Sequence, residues 1–293
     1  MLKAIQKFTN LLVCPICETS LKIDGNSLLC DNNHRYRIKG NVIDFTLDSS
    51  SLYDAHWSKY ESSPLKQYRA KHFVEWATSK NKITNHETVI LDLGCGDGNH
   101  TQFFEGYKYI GVDISNAIYD VASKYIYNED FIFIKADAFA LPIKKGEIDL
   151  LFSFAGINYF PSYGRLSLNE LMNKLDRIIV NNGNIALWGA GEKSRVSVTI
   201  FELIRKFYKI SPDLIKLLIL NLGCLATMFR TNSANISILN SPLSHVKEII
   251  STNLTPDYIN YFTEYKWCDL TPDSWKLLKE YDVYCGQVFQ KMN

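Results

Sequence analysis

The feature that most constrains the fold is a repeated alternation between short apolar segments and segments of helix length. The short segments are rich in β-branched and aromatic residues, and they are Val89–Leu93, Tyr109–Asp113, Phe131–Ile134, Leu150–Phe154 and Asn184–Trp188. Alternation of this kind predicts parallel strands in one sheet, with helices packed on both of its faces. We therefore predict an α/β fold with a doubly wound, mostly parallel sheet.

A glycine-rich segment follows the first predicted strand, at the edge where such sheets bind ligands. Residues 94–99 read GCGDGN, and the second strand ends in Asp113, where a ribose diol would be bound. The dinucleotide fingerprint requires glycine at position 99, which is Asn99 here, so NAD is disfavoured. The pattern indicates a nucleoside cofactor, although a ligand-free turn with a strand-end acid is the alternative interpretation.

Two further motifs follow in order along the chain. The third strand precedes Asp137-Ala138, and residues 147–153 read EIDLLFS. From Thr88 to Gly189 the chain resembles the class I S-adenosylmethionine-dependent methyltransferases of type 11. This resemblance implies a Rossmann-like methyltransferase fold with S-adenosyl-L-methionine as cofactor.

The resemblance also implies a role for each motif. In that family the glycine turn holds the methionine part, the acid after the second strand binds the ribose hydroxyls, and the Asp-Ala pair reads the adenine. Carried over by motif, these residues are Gly94 and Gly96, Asp113, and Asp137 with Ala138. The predicted cofactor-binding set is completed by Asp92, Cys95, Ile114 and Phe154.

A second kind of site is predicted near the start of the sequence. Cys14 and Cys17 form a C-x2-C pair, and Cys30 and His34 form C-x3-H after a twelve-residue spacer. Thiolates and imidazole at two tight turns suit tetrahedral zinc, and four protein ligands leave no open position, so the predicted zinc is structural. Buried cysteines with an unrelated histidine are the alternative. The segment resembles the zinc-ribbon heads of many bacterial methyltransferases and, in ligand spacing, those of ribosomal RNA guanine methyltransferases.

These motifs divide the chain into three predicted units. Residues 1–48 form the zinc-ribbon head, residues 49–85 an aromatic linker with a helix, and residues 86–293 the cofactor-binding catalytic domain. A helical insertion, predicted as a lid over residues 191–252, precedes a last strand at Val283–Phe289.

The sequence gives weaker signals for the residues that would bind the methyl acceptor. His56, Asn158 and Tyr159 are candidate catalytic residues by location only. From Lys193 to Arg230 there are seven basic and two acidic residues, which would suit an anionic or amphipathic acceptor. A solvated basic face is the plainer interpretation.

The charge and hydropathy of the chain limit the range of functions that it can have. The formal net charge is only +1, and Met1–Ser50 holds six basic and five acidic residues, which disfavours a strongly basic RNA-docking face. The start lacks a signal-peptide pattern, and Leu214–Phe229 is too short and too interrupted to span a membrane, so we expect a cytoplasmic protein. We predict methyl transfer to an O or N atom of a small or amphipathic biosynthetic molecule. RNA base methylation is the alternative, and a non-catalytic cofactor- or partner-binding module is the second.

Overall fold

The computed structural model of the protein describes residues 2–46, 64–79, 87–154, 156, 165–188, 210, 212, 214–215, 271–281 and 286–293. The strands are β1 (Leu21–Asp24), β2 (Ser27–Cys30), β3 (Arg35–Lys39), β4 (Val42–Asp44), β5 (Val89–Leu93), β6 (Lys108–Asp113), β7 (Phe131–Lys135), β8 (Ile148–Phe154), β9 (Ile179–Trp188), β10 (Trp275–Tyr281) and β11 (Gly286–Lys291). The α-helices are α1 (Leu2–Thr9), α2 (Pro64–Ser79), α3 (Ala117–Lys124) and α4 (Arg165–Ile178).

These strands form one sheet in the order β1-β2-β3-β4-β7-β6-β5-β8-β9-β11-β10. The pairings from β4 through β9 are parallel, whereas β11 pairs with β9, and β10 with β11, in the antiparallel sense. The predicted doubly wound, mostly parallel sheet is therefore confirmed. The predicted last strand lies at Gly286–Lys291 rather than Val283–Phe289, and β10 was not predicted.

The winding direction reverses between β5 and β8. From β5 the chain adds β6 and β7 on one side, and it then returns to add β8 and β9 on the other. The reversal leaves a crevice at the carboxyl ends of β5 and β8, where open sheets of this type bind their ligands. The glycine-rich turn begins directly after β5, at Gly94, and so lies in this crevice.

Burial on both faces explains why the central strands read as continuous apolar runs. On one face α1 and α4 pack against alternate strand residues such as Leu91, Ile110 and Leu151. On the other face α2 and α3 cover the strand residues Tyr109, Phe152 and Phe154. Phe73 of α2 joins these rings in one aromatic layer. The core thus holds the strand ends, and with them the predicted site residues, in a rigid frame.

The head is joined to the central sheet by direct strand pairing. β4 lies parallel to β7, with Asp44 opposite Lys135. Both side chains are buried, and the Lys135 Nζ lies 3.6 Å from the Asp44 Oδ2. The same oxygen accepts a hydrogen bond from the Tyr119 hydroxyl, while Thr46 donates its backbone N–H and its hydroxyl to the Asp44 Oδ1. β4 therefore adds an outer parallel strand whose carboxyl end lies at the same edge as the predicted cofactor site.

Several predicted features lie outside the residues that the structure describes. They are most of the helical insertion at 191–252 and the linker at 49–63, whereas the helix predicted after that linker is α2. The boundaries at 48 and 85 stay predictions. Within the described segments, none of the helices has the length and apolar character that crossing a membrane requires.

Candidate functional site

The turn after β5 is fixed by backbone bonds to the neighbouring strand. Gly94 and Cys95 both donate their N–H groups to the Val112 carbonyl oxygen, at 2.8 and 3.0 Å. Gly94 has φ +77°, and a Cβ added there would lie 2.8 Å from the Gly156 Cα. The segment after β8 therefore approaches the turn backbone to backbone, which only glycine permits.

Asp113, at the end of β6, is hydrogen-bonded to this turn. Its Oδ2 accepts the Gly96 N–H at 2.8 Å, and its Oδ1 accepts the Ser115 N–H and hydroxyl at 2.8 and 2.7 Å. Burial raises the pKa of Asp113 above its ordinary value, against the hydrogen bonds from Ser115 and Gly96, which lower it. A carboxylate has about four acceptor sites, so one remains for a ligand hydroxyl, and rotation of the Ser115 hydroxyl would free another.

The end of β7 lies beside this acid. The Ala136 N–H donates to the Asp113 carbonyl oxygen at 3.1 Å, which brings Asp137 and Ala138 to the same edge. Asp137 is exposed, and its Oδ1 accepts the Phe139 N–H at 2.9 Å, whereas Ala138 is buried. An exposed acid and a small apolar residue therefore lie at the end of β7, one strand beyond Asp113 as seen from the turn. This arrangement suits the base of a nucleoside whose ribose lies at Asp113.

Asp92 lies beneath the turn and is completely buried. Its Oδ2 accepts hydrogen bonds from the Tyr109 hydroxyl at 2.5 Å and from the His100 Nε2 at 2.6 Å. Burial and the nearby Asp92 charge raise the pKa of Tyr109 well above its ordinary value, so the phenol stays protonated and donates. The other carboxylate oxygen, Oδ1, is buried with no hydrogen-bond partner among the described atoms.

The remaining predicted cofactor residues frame the turn. Cys95 is buried, and burial raises its pKa well above the ordinary value, which excludes it as a thiolate nucleophile. Phe154 ends β8, and its ring stacks on that of Trp188 with centroids 4.1 Å apart. Ile114 is half-buried directly after Asp113. The structure thus brings the predicted residues to one edge of the sheet.

Three predicted site residues cannot be placed, and two residues of the observed site were not predicted. The acceptor candidates His56, Asn158 and Tyr159 lie outside the described residues. Sequence reasoning missed His100 and Tyr109, the two donors to Asp92. The available signal was the period of two along β6, which puts Tyr109 on the same face as Gly111, the residue opposite Asp92.

The glycine turn leads to a testable prediction. Gly94→Ala should weaken binding of S-adenosylhomocysteine about tenfold or more, because the new Cβ would force the Gly156 backbone away. Gly25→Ala is the matched control, since Gly25 also has positive φ, +57°, but open space around its Cβ position. Calorimetric titration should show normal affinity for the control, with only about 1 kcal/mol lost from its free energy of unfolding. Equal affinities in the two variants would contradict the close-approach argument.

The four predicted metal ligands come together in the head. The ligand atoms of Cys14, Cys17, Cys30 and His34 all lie within 4.8 Å of one another. The His34 Nδ1 is 3.4, 3.6 and 3.3 Å from the three sulfurs in that order, and the Cys17 and Cys30 sulfurs are 3.7 Å apart. A tetrahedral zinc site requires edges of about 3.5 Å from sulfur to nitrogen and about 3.8 Å between sulfurs. The donor set and its dimensions therefore fit zinc.

Two neighbouring hydroxyls support this cluster. The Tyr36 hydroxyl lies 3.0 Å from the Cys14 sulfur, and the Thr19 hydroxyl 3.2 Å from the Cys17 sulfur. The Thr19 hydrogen bond lowers the pKa of the Cys17 thiol to about 5, which favours the thiolate that metals bind. Such contacts orient ligands around a metal ion.

The mostly parallel sheet and the glycine turn at its switch point define a Rossmann-like nucleoside-binding domain. Residues 91–187 match the family model described as "Methyltransferase domain". This match identifies the segment 91–187 as a methyltransferase domain.

Two curated relatives are named as methyltransferases. The chain is 25% identical over 174 residues to the Bacillus subtilis protein named "Putative 23S rRNA (guanine-N(1)-)-methyltransferase YxjB", which is 54% of this chain and 61% of that protein. It is 26% identical over 101 residues to mouse tRNA (carboxymethyluridine(34)-5-O)-methyltransferase ALKBH8, which is 34% of this chain and 14% of that protein. The YcgJ protein of Bacillus subtilis is similar in structure at 14% identity, covering 76% of this chain and 99% of its own, with a TM-score of 0.41. The chain spans less than two thirds of either curated relative.

Proposed function

We propose that this protein is a cytoplasmic enzyme that transfers a methyl group from S-adenosylmethionine to an O or N atom of a small or amphipathic biosynthetic molecule. The observation that carries the cofactor assignment is the Asp113 carboxylate at the switch point, bonded to the Gly96 N–H and retaining acceptor capacity for a ribose. The buried Asp92 Oδ1, which has no partner among the described residues, is a second polar atom that the cofactor would satisfy.

The cofactor supplies an activated methyl group on a sulfonium, so the protein's task is to orient it and exclude water. Asp113 would bind the ribose hydroxyls, and Asp137 with Ala138 the adenine, each at the end of its own strand. Gly94 and Gly96 would let the methionine part approach the backbone. The stacked rings of Phe154 and Trp188 would form an apolar wall that excludes water beside the turn.

Charge pairing in the head favours a small acceptor over RNA. Four of the six cations of the head lie within ion-pair distance of carboxylates, and the pairs are Lys3 with Glu129, Lys7 with Asp130, Lys22 with Asp31, and Arg35 with Asp24. Exposed pairs of this kind add little stability, but they cancel the local positive field that phosphate binding uses. The described face of the head is therefore electrostatically mixed rather than basic.

RNA base methylation is the second candidate function. The match over 174 residues to a protein named as a putative rRNA guanine methyltransferase is consistent with this alternative. On this alternative the metal cluster, with the exposed Ile16 at its tip, would belong to an RNA-docking element.

We further propose that the cluster of Cys14, Cys17, Cys30 and His34 holds a structural zinc ion. Four protein ligands would fill the coordination sphere of zinc and leave no position for a catalytic water. The zinc would tie the C-x2-C turn to the β2–β3 turn, and through β4 it would stabilise the outer parallel strand of the sheet.

The acceptor class can be tested by transfer of labelled methyl from S-adenosylmethionine into a host lysate. We expect label in the organic or aqueous small-molecule fraction, and none above background with an Asp113→Asn variant. Label in RNA would replace the small-molecule proposal with the RNA alternative. A protein that binds S-adenosylhomocysteine but labels no fraction would instead be a non-catalytic binding module.

A further inference from the structure

The buried carboxylate beneath the glycine turn belongs to a network that methyl transfer itself does not explain. Asp92 is the last residue but one of β5, and its Oδ2 accepts from both the His100 Nε2 and the Tyr109 hydroxyl. The Tyr109 hydroxyl also lies 3.1 Å from the Thr101 hydroxyl. The Asp92 and His100 side chains are 0% and 3% exposed, so these bonds are made without water.

Both donors bond to the same oxygen, which leaves the network incomplete. Among the residues that the structure describes, the buried atoms Asp92 Oδ1 and His100 Nδ1 have no hydrogen-bond partner. A buried carboxylate oxygen without a donor is more costly than an unsatisfied neutral polar group, because it carries charge. The described residues therefore leave this oxygen in need of a donor.

The surroundings hold the carboxylate in one orientation. The His100 ring lies against the rings of Phe152 and Phe154, with centroid distances of 5.4 and 5.7 Å. A Cβ at Gly111 would lie 3.0 Å from the Tyr109 ring, so the glycine makes room for that ring beside Asp92. Because these rings confine the pair, Oδ2 stays bound to its two donors, and Oδ1 has no donor in the part of the chain that the structure describes.

We propose that His100 is a positioning residue for the amino-acid end of the cofactor, acting through Asp92. This inference rests on the proposed cofactor assignment. His100 holds Asp92 so that Oδ1 accepts a hydrogen bond from the cofactor's α-ammonium group, which lies near the glycine turn if Asp113 binds the ribose. An ammonium offers three donors and a positive charge, and both match a desolvated carboxylate oxygen.

Two ligands separate this role from a general effect on folding. S-adenosylhomocysteine carries the amino-acid end, whereas 5′-methylthioadenosine carries the nucleoside and lacks that end. We expect His100→Leu to bind S-adenosylhomocysteine about tenfold more weakly and 5′-methylthioadenosine as the wild type does, measured by calorimetric titration. His100→Gln, which can place an N–H near the position of Nε2, should recover most of the lost affinity.

Two further variants sharpen the test. Tyr109→Phe keeps the ring and removes only the second donor, so it should show the same selective loss even if His100→Leu does not fold. The control is His72→Leu on α2, whose side chain is 41% exposed and which should bind both ligands normally. Equal weakening for both ligands, or no weakening for either, would overturn the positioning role. A wild-type protein that binds neither ligand would contradict the cofactor assignment itself.

Discussion

Replacing Asp113 by asparagine should weaken binding of S-adenosylhomocysteine about 100-fold. A ribose diol would donate two hydrogen bonds to this carboxylate, and bonds to a charged acceptor contribute about 1.5–3 kcal/mol each. Asparagine has nearly the same shape, but it replaces one accepting oxygen with an N–H donor that faces the Gly96 N–H or the Ser115 donors. Calorimetric titration of the folded variant measures the loss.

The matched control is Asp120→Asn, since Asp120 is an exposed acid on the helix that follows Asp113. Its affinity should equal that of the wild type. The wild-type affinity should be full above the pKa of Asp113 and should fall as the pH falls through it. Because burial raises that pKa, the fall should begin at a higher pH than for an ordinary carboxyl group. Unchanged affinity in Asp113→Asn would remove Asp113 from the cofactor site.

Removing the proposed zinc ion should destabilise the protein strongly. We expect one equivalent of zinc in the wild type and a fall of roughly 10 °C in Tm on treatment with a strong chelator, because zinc bound by such ligand sets contributes directly to folding. Cys30→Ala should contain less than a tenth of an equivalent of zinc, and its Tm should no longer respond to the chelator. Metal analysis and thermal unfolding provide the two measurements.

A neighbouring residue supplies the control for this experiment. Asp31→Asn loses only the exposed ion pair with Lys22, so its zinc content and its response to the chelator should match the wild type. Wild-type protein produced with ample zinc that contains none, and that does not respond to the chelator, would refute the metal assignment.

The central sheet was predictable because its strands are buried on both faces and therefore read as continuous apolar runs. β10 was not predictable. Its sequence is WKLLKEY, in which Leu277 and Leu278 are both exposed, so apolar and polar residues do not alternate along this outer strand. β4 has only three residues, and its pairing with β7 joins positions far apart in the sequence, which no local pattern reveals.

The residues of the candidate site also fall into those that the sequence predicted and those that it did not. Local sequence marked the glycine turn, the strand-end acid Asp113 and the candidate metal ligands, because each depends on residues close together in the chain. The partners of Asp92 were missed because Tyr109 reaches it only through the pairing of β5 with β6. His100 reads as part of a polar loop in the sequence, and its burial depends on Phe152 and Phe154 from β8.

The addition of β4 also affects the behaviour of the chain in solution. β7 is buried along its whole length, and without β4 it would present an apolar strand with unpaired N–H and C=O groups, a surface on which chains aggregate edge to edge. With the head in place, the outer described strand on that side is β1, which is four residues long and carries exposed Lys22. A shortened chain that keeps only the methyltransferase domain would thus lose the segment that keeps its sheet from associating with other copies.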